Sequence, residues 1–215
     1  ATREVPVLFE APLAAGLVGA FVQAVSGGAL YRKASFLDGC LGQAVLAEHL
    51  DLNEDPHQIK GKGSAMFDDE GVATRPRKVV EAGRVLGYFL SSYSARKLGM
   101  RTTGHAGGAH NLALTSRLTQ PGDDLEAMLR RLDRGLFVTE LMGQGVNGVT
   151  GDYSRGAAGF WVERGRIVHP VHEVTIAGNL RDMLRGIAAV GADAYTSGSR
   201  TTGSVLIERM KLAGA

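Results

Sequence analysis

Two histidines five residues apart are the first residues in this sequence whose type and spacing could support chemistry. His105 and His110 lie in the stretch His-Ala-Gly-Gly-Ala-His, a flexible loop that could wrap an ion. No Cys or carboxylate lies near them in the sequence to complete the three or four ligands that zinc requires. We therefore favour hydrogen bonds from both rings to the backbone, and a metal hydrolase built on His105 and His110 is the alternative.

The other histidines and the single cysteine give weaker indications. His169 and His172 lie in strand-like sequence, where a spacing of three residues places the two rings on opposite faces. His49 and His57 flank an acidic loop, and we expect both to be solvated. Cys40 is surrounded by apolar residues and is expected to be a small buried side chain. A thiol enzyme that uses Cys40 as its nucleophile is the alternative.

A glycine-rich segment at 143–159 contains the third candidate site. Its first six residues, Gly-Gln-Gly-Val-Asn-Gly, match the dinucleotide-binding pattern, but residues 149–156 continue as a loop and supply no helix to face a pyrophosphate. The alternatives that remain are a structural loop and a loop whose backbone amides bind an extended peptide. Asp152 and Arg155 are expected to pair with each other or with peptide termini. The candidates for a peptide channel or an interface are Gly143, Gly145, Asp152, Ser154 and Arg155.

Local patterns predict the elements that position these residues. An apolar strand over 5–9 precedes a helix over 10–25 that is apolar on nearly every face, so this helix is expected to be buried or to lie at an interface. An amphipathic helix is predicted from 125 to about 133, strands over 136–142 and 204–212, and a loop over 51–63.

Two hairpins with the turn sequence Glu-x-Gly-Arg are predicted over 79–86 and 159–168. Each is followed by a predicted helix, over 91–98 and 179–190, so the order indicates an internal repeat unless the shared turn arose by chance. The predicted fold class is α+β, with a mainly antiparallel sheet built from hairpin-plus-helix units and a buried apolar N-terminal helix.

Composition narrows the classes of function. The 24 Lys and Arg residues against 22 Asp and Glu give a net charge of +2, which does not indicate nucleic acid binding. The chain contains one Cys, which excludes an internal disulfide and is typical of the cytoplasm. It contains no apolar run of the roughly 18 residues that a membrane span requires.

Several motifs together resemble one known family. They include Pro-Val-Leu-Phe-Glu-Ala-Pro at 6–12, Thr-Gly-His-Ala-Gly-Gly at 103–108, Thr-Glu-Leu-Met-Gly-Gln-Gly at 139–145 and Gly-Asp-Tyr-Ser-Arg-Gly-Ala-Ala-Gly at 151–159. This sequence is similar to the C-terminal half of the PmbA (TldE) branch of the TldD/PmbA family, whose members were once called modulators of DNA gyrase. The resemblance implies that residues 1–215 form a single domain, the C-terminal domain of a longer protein whose N-terminal α/β domain is absent here.

The resemblance also implies a cytoplasmic metallopeptidase of two related subunits, TldD and TldE, that degrades or processes unfolded peptides. In the TldD branch, zinc is held by His-Glu-x-x-x-His and a later Cys. Here the Glu is retained as Glu10, whereas Phe9, Ala14 and Thr202 occupy the three ligand positions. The chain is therefore expected to be a metal-free subunit that forms a homodimer alone and a heterodimer with a zinc-bearing TldD-like partner.

Overall fold

The computed structural model of this chain describes residues 2–214, and it confirms the predicted α+β class. In chain order its elements are β1 (Arg3–Phe9), α1 (Ala11–Ala24), α2 (Gly27–Tyr31), β2 (Leu50–Asp55), β3 (Arg77–Glu81), β4 (Arg84–Val85), α3 (Ser92–Lys97), β5 (Asn111–Ser116), α4 (Leu125–Leu132), β6 (Gly135–Met142), β7 (Asp152–Glu163), β8 (Arg166–Asn179), α5 (Leu180–Arg185), β9 (Ile187–Val190), β10 (Tyr195–Ser197), β11 (Arg200–Thr202) and β12 (Val205–Ala213).

Five strands of the first sheet close into a ring. They follow the order β1-β6-β7-β8-β12, and β12 also pairs with β1, which joins the two ends of the sheet. β1 and β6 run parallel, and the other pairs of the ring run antiparallel. β9 adds to the sheet outside the ring by pairing with the start of β12. The sheet is therefore a small, mainly antiparallel barrel with one additional strand.

Side chains along β1 alternate between two apolar clusters. Phe9 belongs to the larger core, whereas Leu8 beside it points into a smaller cluster that includes Met128 and Leu132 of α4. α4 begins where the Asp124 side chain accepts a hydrogen bond from the backbone N–H of residue 127, at 2.9 Å. This capped amphipathic helix agrees with the prediction and covers one face of the sheet.

The second sheet follows the order β10-β11-β5-β2-β3-β4, and α1 packs between the two sheets. Seven residues of α1 are buried, while Pro12, Gly16 and Gln23 are exposed. Among the described residues, no helix combines the length and the apolar character needed to cross a bilayer. Residues of both sheets and of the segments beside them surround the buried face of α1, and they include Leu46, Leu52, Leu114, Leu184, Ile187 and Val205.

Three predicted elements are wrong. The loop predicted over 149–156 ends at Gly151, because β7 begins at Asp152 and pairs with β8 from its first residue. Residues 51–63 were expected to form a loop, but β2 occupies the first part of that range, because its buried residues alternate and both of its edges pair with other strands. The helix predicted over 179–190 ends at Arg185, and Gly186 is its C-cap. The rest of that range is β9, whose pairing with β12 outweighs the local preference of Ile187-Ala-Ala-Val190.

Both predicted hairpins are present and share the same turn geometry. The two turn residues have positive φ in each, at Ala82 and Gly83 between β3 and β4 and at Arg164 and Gly165 between β7 and β8. The first hairpin lies in the second sheet and the other in the barrel. The shared turn accounts for the shared sequence signal, and the internal repeat stays a prediction.

Candidate functional site

The three positions that the resemblance assigns to zinc ligands are all buried. Phe9 ends β1 and Ala14 lies in the first turns of α1, and both are fully buried. Thr202 ends β11, which packs against α1, and its hydroxyl donates a hydrogen bond to the carbonyl of Gly203 at 3.1 Å. A phenyl ring and a methyl group offer no lone pair, and a threonine hydroxyl is a poor zinc ligand. The residues present do not fit a zinc ion.

Glu10 lies between β1 and α1 as the residue before the first helical turn. Its backbone N–H donates to the carbonyl of Val138 at 3.1 Å, which ties the start of α1 to β6. Its half-buried side chain makes no hydrogen bond within residues 2–214. A carboxylate without an ion beside it cannot produce the lowered water pKa that metal hydrolysis uses.

A buried polar cluster in the second sheet joins the two histidines to a third group. Glu54 of β2 lies with His105 and His110, and one ligand atom from each lies within 4.8 Å of the others. All three residues are buried. The prediction that no carboxylate accompanies the two histidines is therefore wrong, because Glu54 is distant only in the sequence.

Three donors surround the Glu54 carboxylate. The Arg77 Nε–H donates at 2.7 Å, the His105 Nε2–H at 2.9 Å and the His110 backbone N–H at 2.8 Å. Burial raises the pKa of Glu54, but the hydrogen bond from His105 and the charge of Arg77 outweigh it and lower this pKa to about 2. Burial also lowers the pKa of His105. The carboxylate is therefore ionised and paired with the guanidinium.

The two ring nitrogens of His110 lie beside two carbonyl groups, to one of which the neutral ring donates its single N–H. Its Nδ1 lies 3.1 Å from the oxygen of Gly63 and its Nε2 lies 3.1 Å from the oxygen of Gly104. Contacts of the His110 ring with the backbone agree with the prediction for this residue, whereas the prediction is wrong for His105, whose ring contacts the side chains of Thr103 and Glu54. A metal ion would have to displace at least one of these carbonyls and the Arg77 guanidinium. The arrangement as it stands fixes the loop between α3 and β5.

The segment after β6 is already paired with the start of β7. The backbone N–H of Ser154 donates to the carbonyl of Gly145 at 2.7 Å, and that of Asn147 donates to the carbonyl of Asp152 at 2.8 Å. These groups are not free to bind a peptide. Gly145, Asp152 and Ser154 still line an open cavity of about 470 Å³.

Asp152 and Arg155 do not pair with each other, contrary to one of the predictions, because three residues along a strand place them on opposite faces. Asp152 accepts a hydrogen bond from the Thr150 hydroxyl at 2.7 Å. Arg155 is half-buried, and its Nε has no partner among the described residues. The adjacent Tyr153 hydroxyl is also buried without a partner there, and burial raises its pKa to about 12. Gly143 has a φ of +76° and serves as a turn residue.

The remaining candidates have structural surroundings. Cys40 is buried as predicted, and burial raises the pKa of its thiol, which disfavours the thiolate that a nucleophile needs. His57 is exposed, but the prediction of a solvated His49 is wrong. The His49 ring lies 2.8 Å from both the Ser116 hydroxyl and the carbonyl of Ile187, so it links β5 to β9.

Glu54 and Arg77 are the residues that the sequence did not identify. The signal that was available is the alternation Leu50-x-Leu52-x-Glu54, which places the acidic side chain on the buried face of a strand. A glutamate in that register requires a cation or several donors nearby.

Comparisons with known proteins agree on one family. The family described as PmbA/TldA metallopeptidase C-terminal domain matches residues 2–214. "Metalloprotease PmbA" of Escherichia coli O157:H7 is 51% identical over 213 residues, which are 99% of this chain and 46% of that protein. A homolog of that protein from Haemophilus influenzae is also 51% identical, over 99% of this chain and 47% of its own length. The chain thus spans about half the length of these relatives.

Two solved structures have the same fold. A crystal structure from Bacteroides thetaiotaomicron, described as a proposed modulator of DNA gyrase, has a TM-score of 0.92 and 28% identity, and covers 100% of this chain and 48% of its own. The crystal structure of TldE from Thermococcus kodakarensis has a TM-score of 0.83 and 26% identity, and covers 99% of this chain and 51% of its own.

Proposed function

This chain belongs to the PmbA/TldD metallopeptidase family, and we propose that it is the C-terminal domain of a metal-free, TldE-like subunit. In this proposal the subunit joins a TldD-like partner that carries the zinc, and the complex degrades or processes unfolded peptides in the cytoplasm. One observation supports the proposal: Phe9, Ala14 and Thr202, at the positions that the resemblance assigns to zinc ligands, are all buried.

The packing of Phe9, Ala14 and Thr202 indicates a structural role for these residues and leaves no room for a metal ion. Phe9 and Ala14 belong to the main core, where each fills space between the barrel and α1. The Thr202 hydroxyl is already bonded to the backbone. Opening a site for an ion and its water here would require removal of core side chains at a cost of about 3 kcal/mol or more for the phenyl ring alone.

Association with another subunit is the second part of the proposal. Met142, Val146 and Val149 expose apolar side chains close to the cavity beside Gly145. Apolar side chains grouped in this way are typical of surfaces that a partner covers. We expect a homodimer when the protein is alone and a heterodimer when a TldD-like chain is present. An extended peptide would then run near the 143–148 segment.

Metal analysis and a peptidase assay test this function together. The purified protein is expected to hold no stoichiometric zinc after gel filtration and to hydrolyse no unfolded peptide by itself. Hydrolysis is expected only when a zinc-bearing TldD-like partner is added. Stoichiometric zinc on this protein alone, or hydrolysis without the partner, would contradict the proposal.

A variant with all three ligand side chains restored tests whether these side chains alone are sufficient for a zinc site. The triple change Phe9→His, Ala14→His and Thr202→Cys is not expected to create a zinc site, since ligand side chains need hydrogen-bonded neighbours to orient them. Zinc content after gel filtration measures this, with circular dichroism to establish that the variant is folded. A folded variant that retains stoichiometric zinc would show that the three substitutions alone abolished the site.

An autonomous hydrolase is the second candidate function. The observation that favours it is the position of Glu54 beside the two histidines. This residue supplies a third donor beside His105 and His110, so the metal form of this hypothesis has a possible ligand set. The existing partners of that set oppose it, because Arg77 and two carbonyls occupy the positions an ion would need. Zinc binding and peptide hydrolysis that the wild type shows without a partner, and that a folded His110→Ala variant lacks, would establish the metal form of this alternative.

A further inference from the structure

A cleft separate from the ligand positions and from the 143–159 segment opens beside the second half of α1. Its volume is about 520 Å³, and α2, the start of α3, the loop of residues 105–109 and the start of β11 form its other walls. The residues that matter for its chemistry are Gly28, Tyr31, Tyr93, His105, Gly108 and Arg200.

Arg200 contributes to this cleft a charge that no residue within 2–214 pairs with. Its guanidinium lies against α1 at Gly19, where a Cβ atom would be only 2.7 Å from Nη1. The absence of a side chain at Gly19 therefore makes room for the arginine. Within residues 2–214 the half-buried Arg200 side chain makes no hydrogen bond and no ion pair, unlike Arg77, which has Glu54. A partly desolvated guanidinium without an acceptor favours binding of an anion.

Among the described residues that line the cleft around Arg200 there is no Asp or Glu. Two carboxylates lie just behind this lining, Asp69 against Gly107 and Glu70 at 2.7 Å from the backbone nitrogen of Ser92. Tyr31 and Tyr93 meet edge to face with their ring centroids 5.7 Å apart. The Arg32 guanidinium lies 5.5 Å from the centroid of the Tyr31 ring, and the Lys97 ammonium lies 5.6 Å from that of Tyr93. Two aromatic rings backed by cations offer an apolar surface next to the anion site.

The loop of residues 105–109, which forms another wall of the cleft, presents backbone atoms at Gly108. Gly108 has a φ of +119°, and a Cβ built on it would meet nothing within 4 Å. His105 lines the cleft below this loop and is held by Glu54 at 2.9 Å and by the Thr103 hydroxyl at 2.9 Å. A bare and rigidly supported backbone allows another peptide backbone to approach closely.

We propose that this cleft binds the carboxylate of an extended peptide, with Arg200 as its counter-ion and the Tyr31–Tyr93 pair in contact with the neighbouring peptide side chain. The inference rests on the proposed function, because it supplies that function with a peptide-anchoring site in this chain. The carboxylate could belong to the C-terminus of the peptide or to an acidic side chain, since both present the same two oxygens to a guanidinium.

Fluorescence anisotropy with three labelled peptides tests the proposal on the purified protein, without a partner and without zinc. The first hexapeptide contains Ala and Phe and ends in a free carboxylate, the second is its C-terminal amide, and the third is the amide with one internal Glu. We expect the first or the third to bind at least tenfold more tightly than the second, and the one that binds identifies the source of the carboxylate.

Variants locate the binding in the cleft. Arg200→Gln is expected to weaken carboxylate binding roughly tenfold or more, whereas Arg166→Gln removes the same charge from an exposed hairpin and should change nothing. Gly28→Leu places a side chain at the cleft where a Cβ would meet only Arg32, at 3.6 Å, and should block binding while keeping the fold. Gly16→Leu, at an exposed position of α1 with open space around it, is the matched control.

Three results would overturn the inference: no binding of any peptide, equal binding of all three peptides, or wild-type affinity in the folded Arg200→Gln variant. The proposed function fails in a different way, through zinc found on this protein or hydrolysis without a partner. A protein that holds zinc and still binds carboxylate peptides through Arg200 would retain the cleft and lose the scaffold role.

Discussion

Replacing Arg77 by Met is expected to destabilise the protein by about 3 kcal/mol. The Glu54 side chain is completely buried and that of Arg77 is 20% exposed. Removal of one partner of a buried ion pair typically costs about 3–5 kcal/mol, because the other charge stays buried without compensation. The partial exposure of Arg77 places the expected loss at the lower end of this range, since water can screen part of the interaction.

The pKa of Glu54 gives a second route to the same magnitude. Its donors lower this pKa from 4.5 to about 2 despite burial. A difference of this size corresponds to about 3 kcal/mol of stabilisation of the ionised form at neutral pH. Arg77 shares this contribution with His105 and with the His110 amide, so its loss alone removes part of it and adds the cost of an unpaired carboxylate.

Urea denaturation at neutral pH measures the loss, with the midpoint expected to fall at an unchanged slope. Arg117→Met is the matched control, because Arg117 also pairs with a carboxylate of β2, that of Asp51 at 2.9 Å, but is 49% exposed. The control is expected to lose less than about 1 kcal/mol. Combining Arg77→Met with Glu54→Gln should restore part of the stability, since a neutral amide needs no cation. An Arg77→Met loss no larger than that of the control would refute the reasoning.

The other predictions concern acid stability and the paired segment after β6. The pKa of Glu54 is lower in the folded protein, so the stability it contributes is present above pH 4.5 and is lost as the pH falls toward 2. The pKa of His105 is also lowered from its ordinary value of 6.5, so the stability it contributes is lost as the pH falls below 6.5. When the free energy of unfolding is measured against pH, the Glu54→Gln variant should show a flatter curve than the wild type between pH 4.5 and pH 2. Gly145→Val should cost about 3 kcal/mol in urea denaturation, because a Cβ there would lie 1.4 Å from the carbonyl oxygen of Ser154, whereas Gly148→Val has open space and serves as the control. Equal stability of the two valine variants would disprove that contact.

The elements that the sequence predicted correctly are those whose sequence patterns lie within the element itself or directly beside it. α4 follows from the Asp124 cap and an apolar stripe within one helix, and both hairpin turns follow from a glycine at a position of positive φ. β9 could not be predicted in this way. Ile187-Ala-Ala-Val190 continues a helical pattern in the sequence, and only the pairing with β12, which comes later in the chain, makes it a strand.

The sequence predicted only part of the candidate site, because only part of it is local in the chain. His105 and His110 were identified as candidates because they lie five residues apart. Glu54 lies 51 residues before His105, inside a polar stretch that suggested a loop. Its role depends on β2 pairing with both β3 and β5, and this sheet order is not encoded in any local spacing.

The buried cluster and the proposed cleft lie on two sides of the same loop. Glu54 holds His105 and the His110 backbone from beneath, and the loop between these histidines presents Gly108 to the cleft. The ion pair with Arg77 therefore acts on the fold and on the position of the cleft wall together. Arg200 has no partner within residues 2–214, so its charge can be removed without leaving another charge buried. The two arginines thus separate two effects. Loss of Arg77 lowers stability first and alters the cleft through the loop, whereas loss of Arg200 alters binding and leaves the unfolding free energy close to that of the wild type.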